Sequence, residues 1–204
     1  MKIAELPRRR RSDLIVGACA PMKKVLDQIS VAAASSRPVF LFGESGTGKE
    51  LVARTIHGAS ARAECAFVSL HCAVIPDVLL EGELFGLPQD NPLSRFARGP
   101  GLIAEASGGT IFLDQVEAIP PALQTRLLAV LEGSEQLPRM DPGRPPPLLV
   151  AASSVSRPER GGKAGPPPDL LESLEGLSIT LPPLRERGED IALLAAHFLR
   201  LFAR

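Results

Sequence analysis

The chain has 204 residues, enough for one large domain or for one domain with a small appendage. Its 23 basic and 23 acidic residues cancel, so no net field argues for a nucleic-acid or membrane partner, and the 45% hydrophobic content can build a sizeable core. No apolar run approaches the roughly 18 residues of a membrane helix. Cys19, Cys65 and Cys72 are an odd count without CxxC spacing, which reads as reduced thiols in a cytoplasmic protein.

In chain order, residues 1–13 come first as a basic tail. Arg8-Arg9-Arg10-Arg11 admits a nucleic-acid or lipid contact, but a solvated tail is the ordinary reading of such a run. The apolar residues Leu14 to Ala20 are too short, and too close behind Asp13, to make a convincing signal segment. A helical pattern then covers 21–33. Short apolar runs at 39–42, 67–70, 111–113, 148–151 and 177–181 read as buried strands. Between and after them, helical patterns occupy 49–57, 76–85, 120–131 and 189–203. Short buried strands alternating with helices imply a parallel sheet covered on both faces, hence a three-layer α/β fold. PRMDPGRPPP (138–147) and RPERGGKAGPPP (157–168) are too rich in Pro and Gly for element interiors and read as surface loops.

The strongest chemical signal is GESGTGKE, Gly43 to Glu50, between the first strand and its helix. A glycine-rich turn there lets Gly43, Glu44, Ser45, Gly46, Thr47 and Gly48 aim backbone N–H groups at phosphate oxygens. The helix adds its positive end, and Lys49 reaches the β- and γ-phosphates. The general pattern has Ser or Thr after the lysine; here the residue is Glu50. TIFLDQVEAIP, 110–120, reads as a strand delivering Asp114 to that site, followed by Gln115. His57 reads as structural and His197 as solvated rather than a ligand. The scattered histidines and cysteines give no metal-site spacing.

LFGESGTGKELVARTIH, VSLHCAVIPDVLLEGELFG and LPPLRERGEDI, in that order, resemble the AAA+ domain of bacterial enhancer-binding proteins, the sigma-54-dependent transcription activators, whose phosphate loop also reads GESGTGKE. The resemblance runs from about Leu14 to the end of the chain. It implies a three-layer P-loop NTPase with a central parallel five-stranded sheet over 14–184 and the start of a helical lid over 185–204. It further implies ATP or ADP with Mg²⁺, held through water by Asp114, and an adenine pocket at Ile15, Val16 and Gly17. A homo- or hetero-oligomeric ring and the transcription machinery are the implied partners. No DNA-binding domain and no membrane segment are expected in this chain.

Departures from the family pattern cluster where energy would be used. Asp90-Asn91-Pro92-Leu93-Ser94-Arg95 stands where GAFTGA, the loop that grips sigma-54, falls in the family. The family's catalytic glutamate is Gln115, and its partner, a switch asparagine, is His71. Its two arginine fingers fall on Pro167 and Ser173, with Arg157 and Arg160 as nearby substitutes. The sensor asparagine falls on Ser154. A direct nucleotide contact from Arg185 or Arg187 is left open. The resemblance therefore implies a degenerate member, shortened in its lid, that binds nucleotide and hydrolyses it little. Two alternatives stand beside it: an active ATPase completed in trans by a partner, and a scaffold to which nucleotide is irrelevant.

Overall fold

Five short apolar runs pair side by side, every pair parallel, in the order β2-β3-β4-β1-β5. They are β1 (Val39–Phe42), β2 (Phe67–His71), β3 (Thr110–Asp114), β4 (Leu148–Ser153) and β5 (Leu177–Thr180). The computed structural model describes residues 15–87, 99–135, 137, 140–141, 143–154 and 176–203. The helices are α1 (Ala20–Ala33), α2 (Lys49–Ala59), α3 (Asp77–Phe85), the single turn α4 (Leu102–Glu105), α5 (Pro121–Leu131) and α6 (Gly188–Phe202). One-turn 3-10 segments follow β2 (Cys72–Val74) and β3 (Val116–Ala118) and precede α6 (Leu184–Glu186).

The strands read as unbroken apolar runs because the sheet is covered on both faces. β1 and β4 are buried along their whole length, and β3 is buried up to Asp114. The two-residue period of a strand then divides each run between two cores. Phe40, Phe42, Ile111, Leu113 and Leu149 join Leu80 and Leu84 of α3 and Leu127 of α5. Val39, Leu41, Phe112 and Val150 point the other way, to Val25 and Ile29 of α1 and Val52 and Ile56 of α2. β2 and β5, at the two edges, are only partly buried.

This strand order sets where the chemistry sits. β1 lies inside the sheet, between β4 and the edge strand β5, and its C-terminal end is the crevice where open α/β sheets bind ligands. The register pairs Phe42 with Ser153, and Gly43 N–H continues the ladder to the Ser153 carbonyl at 3.3 Å. Three strands from β1, at the edge, β2 runs one residue further than its apolar run predicts. His71 therefore stands level with Asp114, and Asp114 with Ala152. Among the loops, the end of the first Pro/Gly-rich stretch is fastened down. Arg62 donates to the Pro146 carbonyl at 3.0 Å, and Gly108 N–H to that of Pro145 at 2.8 Å. The Arg8–Arg11 run, the 90–95 stretch, Arg157, Arg160, Pro167 and Ser173 lie outside the described residues.

Candidate functional site

The turn from Gly43 to Gly48 is shaped by its glycines and by one threonine. Gly46 and Gly48 adopt φ of 80° and 94°, a left-handed backbone that side chains resist. Gly43 is needed for space instead, since a Cβ there would sit 2.9 Å from Thr47 Oγ1 and 3.1 Å from the Leu181 carbonyl oxygen. Thr47 donates its hydroxyl to the Glu44 carbonyl at 2.8 Å and its N–H to the same oxygen at 3.3 Å, closing the turn. The turn thus folds as an N–H-lined cradle at the start of α2.

Lys49 opens α2 and is buried at 7% exposure. Its ammonium donates to three neutral oxygens: the Gly43 carbonyl at 2.7 Å, the Glu44 carbonyl at 3.2 Å and Ser154 Oγ at 3.3 Å. Among the described residues no carboxylate lies within ion-pair distance of it. A charge held this way, at the mouth of an N–H-lined turn, suits an anion. Glu50 points elsewhere: its carboxylate takes two bonds from Arg54, at 2.7 and 3.0 Å, one helical turn on.

Beside the turn is a cavity of about 460 Å³. Glu44 to Gly48 line one end; Ile15, Val16, Leu51, Leu181, Leu194 and Phe198 line the other. A polar end joined to an apolar one fits a phosphorylated, ring-bearing ligand. Gly17 does not line the cavity. It is required because a Cβ would come within 2.9 Å of Met22 and 3.2 Å of Arg187. His197, expected in solvent, is half-buried on the cavity wall beside Phe198, with ring centroids 5.5 Å apart. Nothing in the scattered histidines signalled that; only the packing of α6 over the mouth does.

α6 is fastened there by a buried ionic hub. Asp190, fully buried, accepts the N–H groups of Ala18 at 2.6 Å and Cys19 at 3.0 Å, the Cys19 thiol at 3.0 Å and Arg187 Nε at 3.1 Å. Arg187 also donates to the Val16 carbonyl at 2.7 Å. Burial alone would raise the Asp190 carboxyl, but the N–H groups, the thiol and the guanidinium together hold it down at about 2. Burial, then the bond to Asp190, pushes the Cys19 thiol up. Arg187 is thereby committed to the protein. Arg185 reaches across the mouth to Glu44 in a two-pronged pair at 2.6 and 2.9 Å, which keeps the Glu44 carboxyl below its ordinary value.

The other predicted residues gather at the ends of β2 and β3, outside the cavity lining. Asp114 accepts the N–H of Gln115 at 3.0 Å. Gln115 has φ of 56° and ψ of 54°, making it the one non-glycine with positive φ among the described residues. Held in that bend, its side chain leaves the strand at an angle set by the backbone. Cys72, buried beneath, is pushed up to about 12 by burial first and then by the carboxylates of Asp114 and Glu117. His57, as read from the sequence, is structural. It bonds Thr110 Oγ1 at 2.9 Å and meets Phe67 edge-on, and burial holds its imidazole below the ordinary value.

A glycine turn between an interior parallel strand and a helix, with a lysine at the helix start and an aspartate ending the strand one beyond its neighbour, defines a P-loop NTPase domain. The profile of the sigma-54 interaction domain matches residues 15–141. The chain belongs to that family. It is 39% identical over 208 residues to the transcriptional regulatory protein ZraR of Salmonella typhimurium, covering 98% of this chain and 46% of ZraR. Among solved structures it is similar to NtrX from Brucella abortus in complex with ADP (TM-score 0.74, 30% identity) and in complex with ATP (0.73, 31%). Each covers 93% of this chain, and 42% and 43% of NtrX. The chain thus spans less than half the length of these relatives.

Proposed function

We propose that this chain is a nucleotide-holding AAA+ module of a sigma-54-type transcription regulator, binding ATP or ADP with Mg²⁺ and turning ATP over slowly. One observation carries the reading: the Gly43–Gly48 cradle is folded, with Lys49 held among neutral oxygens at its mouth, next to a cavity with an apolar far end. In this reading the phosphates lie in the cradle and the base between Ile15, Val16 and α6. Lys49 exchanges carbonyl oxygens for phosphate oxygens. The similarity to NtrX, a protein whose structures carry ADP and ATP, supports the assignment.

Mg²⁺ fits as a companion of the phosphates. Among the described residues no group of three His, Cys, Asp or Glu side chains could hold a metal alone, so a cation here would lean on the nucleotide. Asp114 would hold its water shell, and the ion would neutralise phosphate charge. Slow turnover follows from the residue after β3. Gln115 can orient a water molecule but has no oxygen basic enough to take its proton, and a general base contributes roughly 10² to 10⁴ in rate. His71, level with Asp114, stands in the switch position beside it.

The same reading makes the module one member of a ring, of like or unlike copies, working on the transcription machinery. Engagement of sigma-54 through residues 90–95 is weakened by the lack of the family's GAFTGA sequence there. The deciding experiment is equilibrium binding of a fluorescent ATP analogue with Mg²⁺ to this protein and to Lys49→Ala. Saturable binding by the first, weakened at least about a hundredfold in the second, is expected, since several charge-assisted bonds are lost together. Binding by neither, or equal binding by both, overturns the reading.

A further inference from the structure

Glu117 sits in the turn after β3, three residues beyond Asp114 and outside every contact considered so far for the phosphate end. One of its oxygens, Oε1, accepts the N–H of Ser154 at 3.3 Å. Ser154 is the first residue past β4, and its hydroxyl is the third oxygen that receives the Lys49 ammonium, at 3.3 Å. Ser154 is therefore held from both sides: by the lysine of the phosphate turn and by a carboxylate reaching over from β3. Glu117 Oε2 is buried and without a hydrogen-bond partner, the one such side-chain nitrogen or oxygen among the described residues.

A purely architectural clamp would satisfy both oxygens, because a buried acceptor left open costs more than a missing bond in water. Three strand ends converge on this one. The turns Cys72–Val74 and Val116–Ala118 pack on each other, and the second also packs on β4. The Cys72 thiol feels Glu117 and Asp114 together, so the open oxygen belongs to the same neighbourhood as the catalytic edge. Leaving an acceptor open there is sensible if a donor arrives with the ligand.

We infer that Glu117 is a positioning residue for the terminal phosphate: it fixes Ser154, and through it Lys49, while its open oxygen accepts a water molecule that enters with the nucleotide. The inference rests on the nucleotide reading above and adds a residue to it. It makes a prediction that a merely structural role does not, because ATP and ADP differ only at the γ-phosphate, which Ser154 would read, whereas Lys49 would meet the β-phosphate of both.

The test is to measure the affinities of ATP and ADP, each with Mg²⁺, for the unaltered protein, Glu117→Ala, Glu117→Gln and Ser154→Ala, with thermal unfolding of each. Glu117→Ala should weaken ATP about tenfold, the scale of one hydrogen bond to a charged group, and leave ADP within about twofold. Glu117→Gln keeps an acceptor for Ser154 N–H and should recover most of that loss. Ser154→Ala, at a partly exposed position that folding tolerates, should reproduce the selective loss even if Glu117→Ala unfolds. An unchanged ATP-to-ADP ratio in Ser154→Ala, or equal weakening of both nucleotides by the Glu117 variants, overturns the inference. If the unaltered protein binds neither nucleotide, the proposed function falls and takes this inference with it. If it binds both and only the ratios fail to move, this inference alone is wrong.

Discussion

The two ends of the cavity are built by opposite means. At the Gly43–Gly48 end, six consecutive residues shape a turn out of backbone geometry, and the Lys49 ammonium that follows them rests on neutral oxygens. At the other end, Asp190 and Arg187 reach back over 171 residues to Val16 and Cys19, and both charges are neutralised inside the protein. The first arrangement leaves the Lys49 cation without an ion-pair partner among the described residues. The second spends its polar groups on holding α6 down. In the proposed reading one end binds and the other is rigid, although both were charged stretches in the sequence.

The largest effect should come from breaking the rigid end. Asp190→Ala removes the acceptor of four bonds and strands the buried Arg187 charge, a class of change that costs about 3 to 5 kcal/mol. Thermal or urea unfolding would read it; a loss under about 1 kcal/mol would show the hub to be ornamental. The same hub predicts a pH dependence. Asp190 stands at about 2 in the folded protein against an ordinary 3.8, so it binds its proton less readily when folded. Its contribution, roughly 2 kcal/mol by linkage, is present above pH 3.8 and is lost as pH falls from there towards 2. In Asp190→Ala that part of the acid slope should vanish.

Next comes the shape of the binding end. Gly48 has φ of 94° but open space where a Cβ would go, so the demand is on conformation alone. Gly48→Val should cost about 1 to 3 kcal/mol, or lose nucleotide affinity to the same degree by letting the turn relax. Gly48→Asn, which tolerates a left-handed backbone better, should cost visibly less. Equal behaviour of the two variants would mean that the turn is not held in the form described.

These two ends also explain what could be read in advance. The cradle was legible because its residues are contiguous and each has a local reason: glycines for conformation, a lysine for charge. The α/β layering was legible from short apolar runs between helical patterns. Which residues of those runs face which core was not, because both faces are apolar and alternation leaves no trace. Asp190 looked like an ordinary acid in a helix's first turn, the place where the dipole favours one. Apart from Arg187, its partners, Ala18 and Cys19, lie across the whole chain, and no local pattern encodes them. His197 and Glu117 were missed for the same reason: their roles come from what α6 and the turn after β3 are packed against.

A smaller effect is expected at Gln115, and it sharpens the difference between binding and turnover. Gln115→Glu restores a carboxylate without changing size, so nucleotide affinity should hold. Steady-state phosphate release should rise about tenfold, short of the full contribution of roughly 10² to 10⁴ that a base makes where the rest of the device is intact. A rise of a thousandfold would mean that Gln115 alone had kept the site slow. No rise at all would mean that Gln115 does not limit turnover.

The smallest effect belongs to the pair that looks most prominent on the surface. Arg185 and Glu44 meet in a two-pronged bridge at 2.6 and 2.9 Å across the cavity mouth, yet both side chains are more than half exposed, at 66% and 55%. Water screens such a pair, and ordering two long side chains offsets much of its attraction. Arg185→Ala should therefore leave thermal unfolding unchanged within error, in contrast with Asp190→Ala a few residues on. Salt should abolish whatever difference remains. A change in nucleotide affinity greater than about fivefold would carry a different meaning, because about 1 kcal/mol, roughly fivefold, is the most a weak exposed pair explains. It would show that Arg185 leaves Glu44 to meet the phosphates, and the rigid end of the cavity would then supply a cation to the binding end after all.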